Sequence, residues 1–136
     1  MQSREHNLQV ACVRWFRYQY PNAIIYAVPN GGQRNAVVAA KLKAEGMLAG
    51  VPDLFVAVAA GGWHGLYIEM KDGKQGRLSP HQARMIIDLQ RAGYKCVVCR
   101  SFDEFEAQCN DYLDGVFFYG KEKSEIPIFS NKSKTK

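Results

Sequence analysis

The amino-acid sequence predicts an α/β layer fold around a mixed β-sheet. Three observations carry that reading. Segments with the 3.6-residue period of a helix alternate with short β-branched or aromatic runs, in the order helix, strand, helix, strand, strand, helix, strand, helix. Two of the helices open on capping signatures. The run Leu54-Phe55-Val56-Ala57-Val58-Ala59 is apolar without alternation, the pattern of a mid-sheet strand covered on both faces.

Each element has its own signal. A first helix is expected from about Arg4 to Tyr20, with Leu8, Cys12, Trp15 and Gln19 on one stripe, Ala11 and Phe16 beside it, and Pro21-Asn22 as its stop. Ile24 to Val28 reads as a strand and Pro29-Asn30-Gly31-Gly32 as a turn; a second helix follows from about Ala36 to Glu45, stopped by Gly46. The Leu54 to Ala59 strand returns through Gly61-Gly62 into a strand over Leu66 to Lys71, forming an antiparallel hairpin. Ser79-Pro80-His81-Gln82 supplies an N-cap, a proline at the first helical position and a glutamine three residues after the cap, so a third helix starts there and runs to Gly93. Lys95 to Cys99 is the last strand. Ser101-Phe102-Asp103-Glu104 repeats the capping box ahead of a helix whose buried stripe is Phe102, Phe105, Cys109, Tyr112 and Leu113.

Composition narrows the class. At 136 residues, 47% hydrophobic and 23% charged, the chain has the balance of one globular domain. No apolar run approaches the ~20 residues of a membrane span, and Met1-Gln2-Ser3-Arg4-Glu5 lacks the apolar core of a signal peptide, so a cytoplasmic protein is expected. Cys12, Cys96, Cys99 and Cys109 each fall beside apolar neighbours inside a helix or strand and read as buried thiols. Cys96 and Cys99 match a C-x-x-C spacing, but on a strand they face opposite sides and do not make a zinc knuckle. The net charge is +5, and residues 121–136 hold five Lys against two Glu, which marks a basic, flexible tail after a domain spanning residues 1–120. That excess suits a polyanionic partner and equally a solubilising end.

The chemistry-bearing residues lie on the hairpin. On a strand Glu69 and Lys71 share one face, and the antiparallel return brings Asp53 to the same end. Two carboxylates and an ammonium then converge. Phosphodiester hydrolysis needs an activated water and a counter-charge for the phosphate oxygens, both of which a divalent cation supplies. Magnesium takes hard oxygen ligands and retains waters, so Asp53, Glu69 and the Met70 carbonyl would suffice, with Lys71 orienting the water or stabilising developing charge. Taken singly, Glu-x-Lys on a strand is more often a surface salt bridge and Pro-Asp a turn. Together they gain weight, because a carboxylate beside a covered strand is costly without a cation. Glu5, on the same stripe as Leu8 and Cys12, is either a further acid or a complement to the helix dipole.

Four ordered motifs carry a resemblance. Pro29-Asn30-Gly31-Gly32-Gln33-Arg34, the stretch from Gly46 through Gly50-Val51-Pro52-Asp53-Leu54, Gly65-Leu66-Tyr67-Ile68-Glu69-Met70-Lys71, and Gly76-Arg77-Leu78-Ser79-Pro80-His81-Gln82 resemble the VRR-NUC domain, the virus-type replication-repair nucleases of the PD-(D/E)xK superfamily. The match covers roughly Arg4 to Leu113. It implies a restriction-endonuclease-like fold and a nuclease dependent on Mg²⁺ or Mn²⁺, with Asp53 and Glu69 as metal ligands, Lys71 as catalytic lysine, Glu5 as first-helix acid and Gln82 as motif glutamine. The capping-box position of Gln82 explains it without any catalytic role, and that structural reading stands slightly ahead. Met70 stands where an aliphatic residue is frequent. Small stand-alone members are similar to phage proteins that act as homodimers on branched DNA such as four-way junctions.

For DNA contact the candidates are Asn30, Arg34, Lys41, Lys74, Arg77 and Arg84, each of which is also ordinary solvated surface. Arg34 and Lys41 would share a face if the second helix reached back to Arg34. Asn30-Gly31-Gly32 offers backbone N–H groups to a phosphate or is a plain turn. His6, His64 and His81 do not cluster, and Trp63 either stacks on an unpaired base or packs its own loop. The rival functions are a non-cleaving module that binds DNA or recruits a repair partner, and a nuclease for RNA or ordinary duplex DNA.

Overall fold

A computed structural model describes residues 3–29 and 35–116. Its elements are α1 (Arg4–Gln19), β1 (Ile25–Ala27), α2 (Ala36–Ala44), β2 (Leu54–Val56), β3 (Leu66–Met70), α3 (Pro80–Arg91), β4 (Lys95–Cys99) and α4 (Phe102–Leu113), the order expected. The strands form one four-stranded sheet in the order β1-β2-β3-β4. The first three run antiparallel to their neighbours, and β4 pairs parallel to β3 after the α3 crossover. A parallel neighbour needs such a crossover because a tight turn cannot return the chain in the same direction.

The two faces of the sheet differ. Ile25, Leu54, Val56, Leu66, Ile68, Met70 and Cys99 form one buried core with Cys12 and Phe16 of α1 and Phe105, Cys109, Tyr112 and Leu113 of α4. The opposite face carries Tyr26, Phe55 and Tyr67 side by side in register, with Phe55 and Tyr67 ring centroids 4.5 Å apart. There α3 lies against β4, with the Cys96 thiol 4.0 Å from the Ile86 carbonyl. Cys96 and Cys99 thus occupy opposite faces, as alternation requires.

Several expectations need adjustment. β2 stops at Val56 because its last partner on β1 is Ile25; Ala57 and Ala59 are exposed. Its Phe55 side is half-covered rather than buried. On α1 the buried positions are Cys12 and Phe16, and Gln19 is exposed, so the stripe is rotated from the one the spacing suggested. Trp63 closes a bridge to Ala60 and packs on the core, which settles it as loop packing. All four cysteines are free thiols. Burial pushes Cys12 and Cys96 up to about 11 and Cys99 to about 12, away from the thiolate form that metals and electrophiles need. No helix among the described residues is long and apolar enough to cross a membrane. The basic tail, 121–136, lies outside the described residues.

Candidate active site

The hairpin register sets the site. Leu54 pairs with Ile68, so the preceding residue, Asp53, stands opposite Glu69. Asp53 Oδ2 accepts a hydrogen bond from the Met70 N–H at 2.7 Å, which fixes the carboxylate at the end of the ladder. In a strand a residue's N–H and C=O point to the same neighbour, so the Met70 carbonyl faces the Asp53 side as well.

Glu69 is 2% exposed and has three neighbours of consequence. Its Oε2 accepts from Gln82 Nε2 at 2.9 Å and lies 3.5 Å from Lys71 Nζ. Lys71 Nζ in turn donates to Gln82 Oε1 at 3.0 Å. One amide therefore bridges the acid and the ammonium. Burial, then the facing Asp53 carboxylate, raise Glu69 to about 7 against the opposing pull of Lys71. A buried carboxyl facing a second carboxylate is an arrangement that a bound cation would stabilise.

Gln82 is held in place by the start of α3. Ser79 Oγ accepts from the Gln82 N–H at 3.1 Å, and Gln82 Oε1 accepts from the Ser79 N–H at 2.9 Å, which completes the capping box. Capping and site contact are thus one arrangement and not alternatives. Gly50 brings the Asp53 segment to the same helix end: at φ +88° it lies so near α3 that a Cβ would stand 2.7 Å from the His81 carbonyl oxygen.

Arg100, which the sequence did not single out, reaches from the end of β4 to donate to the Gly73 carbonyl at 3.0 Å and to the Gly76 carbonyl. It clasps the loop that follows Lys71. Its only sequence signal is its place one residue beyond a predicted strand.

The remaining candidates are spread out. Glu5 sits half-buried in the first turn of α1, lining a groove with Leu54, and among the described residues no cluster of three or more His, Cys, Asp or Glu forms a metal site. Lys74 and Arg77 are exposed on the loop after Lys71, and Lys41 is exposed on α2. Arg84 is exposed and paired with Asp88 at 3.3 Å. Asn30 and Arg34 lie outside the described residues. The Asn35 side chain caps α2 by accepting from the Val38 N–H at 2.8 Å, which sets the helix start at Ala36. His6, His64 and His81 are all exposed and scattered.

The donor set suits a hard divalent ion. Two carboxylates and a carbonyl supply oxygen only, and burial together with the facing Asp53 carboxylate raises Glu69, a cost that a bound cation would offset. The other positions of an octahedron would fall to water and phosphate oxygens.

Comparisons with known proteins agree with this geometry. The family model described as the VRR-NUC domain matches residues 3–103. A solved structure titled "VRR_NUC domain protein" is 28% identical, with a TM-score of 0.68 over 83% of this chain and 90% of the other. Another, titled "VRR_NUC domain", is 20% identical and shares the fold, with a TM-score of 0.57 over 82% of this chain and 99% of the other. Comparison with curated proteins finds no match. The shared fold and a family match over residues 3–103 assign the chain to the VRR-NUC family of nuclease domains.

Proposed function

We propose that the protein is a DNA endonuclease that requires Mg²⁺ or Mn²⁺ and acts as a homodimer on branched DNA such as four-way junctions. The observation that carries the hydrolytic part is the cluster of Asp53, Glu69, Lys71 and Gln82 within hydrogen-bonding or ion-pairing reach at one end of the hairpin. Asp53, Glu69 and the Met70 carbonyl would hold the ion, with Glu5 from α1 as the first-helix acid. When bound, the ion supplies a Lewis acid and a water of lowered pKa. Lys71 Nζ, aimed by Gln82, stabilises the negative charge that develops on the phosphate oxygens. Gln82 keeps Lys71 from collapsing fully onto Glu69, because its Oε1 shares the ammonium. Exposed Lys74, Arg77 and Lys41, with Asn30 and Arg34, would contact phosphates.

A homodimer suits a branched substrate, since two sites related by a two-fold axis address two symmetric strands. The resemblance to stand-alone phage members supports that choice. The test is purified protein with Mg²⁺ or Mn²⁺ against linear, flapped, splayed and four-way DNA, with mass measured in solution. Asp53→Ala, Glu69→Ala and Lys71→Ala should each lower cleavage by about 100-fold or more while leaving DNA binding largely intact. Wild-type cleavage by the Glu69 variant would reject the assignment, and binding without cleavage under every metal would favour the non-cleaving module.

A further inference from the structure

We propose that the groove between α1 and the edge strand β1 binds an unpaired DNA arm adjoining the scissile phosphate; this rests on the nuclease reading above. The groove encloses about 690 Å³ and is lined by α1 from Ser3 to Arg17 together with Ala27 and Leu54. A helix rises ~1.5 Å per residue, so the lined face extends for about 20 Å.

One end of the groove lies beside the chain segments that carry the active site. Arg4 Nε is 3.8 Å from Asp72 Oδ1, directly after Lys71, so α1 begins at the carboxylate end of the sheet. Leu54, beneath the floor, follows Asp53 in the chain. The far end is fixed where Arg17 Nη2 donates to the Ile25 carbonyl at 3.1 Å.

The lining selects the ligand. Val10 and Val13 make an apolar floor above the buried Leu54, and Arg14 and Arg17 stand along it, against a single carboxylate, Glu5. A duplex presents mainly phosphates, sugars and base edges, its base faces being stacked out of reach of an apolar floor. An unpaired strand presents base faces as well, and apolar surface beside arginines suits bases and phosphates together. An arm seated here would enter from the β1 side, so flapped and splayed branches would use the groove and the fully paired arms of a four-way junction would not.

The test measures binding of the full chain to fluorescein-labelled DNA with an unpaired arm and to a blunt duplex of equal length, with Ca²⁺ in place of Mg²⁺. Arg14→Ala and Val10→Glu change exposed or half-exposed positions and leave the core untouched. Each should weaken arm binding by about fivefold or more and blunt-duplex binding by less than about twofold. Arg14→Ala should also reduce the slope of log affinity against log salt by about 0.7 on the armed DNA, the value for one single-strand phosphate contact. Wild-type affinity in both variants, or equal losses on armed and blunt DNA, would overturn the proposal. Cleavage by wild-type protein in Mg²⁺ or Mn²⁺ on the same two DNAs judges the nuclease reading separately, because groove binding is read without turnover.

Discussion

At the scale of single residues, Glu69 bears opposing demands. A buried carboxyl facing Asp53 prefers its proton, and its value near 7 lies above the 4.5 of a free glutamate. The folded state therefore binds more protons than the unfolded state between those values, and stability falls as pH rises through that window. Metal-free protein should lose on the order of 1 to 3 kcal/mol between pH 5 and pH 8, measured by denaturant melts in chelator. Glu69→Gln should flatten the profile and exceed wild type in stability at pH 8, and millimolar Mg²⁺ should restore wild type alone. A profile that the variant does not alter would show that Glu69 is not the group responsible. Gln82 and Ser79 form a second contrast. Ser79→Ala should cost about 1 kcal/mol by loss of the cap, with a modest fall in cleavage, whereas Gln82→Ala should cost a similar amount and lower cleavage much further, because only Gln82 touches Glu69 and Lys71. Thermal melts beside single-turnover rates separate the two.

At the scale of elements, the hairpin was legible in the sequence and the approach of α3 was not. Period-two alternation places Glu69 and Lys71 on one face, and an antiparallel return sets Asp53 opposite them, so local pattern suffices for three of the four clustered residues. The contact of Gln82 with that cluster depends on how a helix sits across the sheet, which no local period encodes. The same holds for Arg100, whose partners, Gly73 and Gly76, are more than twenty residues away in the chain. The end of β2 was misplaced because it is set by where β1 runs out, a property of the partner strand. Gly50 marks the contact between the Asp53 segment and α3. Gly50→Ala combines a positive φ with a clash against the His81 backbone, and should destabilise the protein by about 1 to 3 kcal/mol and lower cleavage together with it. Calorimetry and rate measured on the same preparation check this, and loss of stability at full activity would show that the contact does not position Asp53. Ile68→Ala, at a fully buried position on the core face, should cost about 2 to 5 kcal/mol by cavity formation.

At the scale of the whole molecule, charge and shape act together. A net charge of +5 attracts DNA without selecting its structure, so affinity for any DNA should fall steeply between 50 and 200 mM salt. Preference for branched DNA, measured as an affinity ratio at fixed salt, should persist across that range if it comes from geometry, and vanish if it comes from charge alone. The sheet has a further consequence for how the molecule comes into being. The hairpin of β2 and β3 joins strands close in sequence, whereas β1 is separated from it by α2 and β4 by α3, and pairing across such connections closes slowly because chain entropy is lost before contacts compensate. Asp53 and Glu69 can meet early, but Lys71 acquires Gln82 only when the crossover is in place. A nascent or partly unfolded chain would thus hold its acids without the amide that arranges them, and competence to cut would arrive with the last strand to dock.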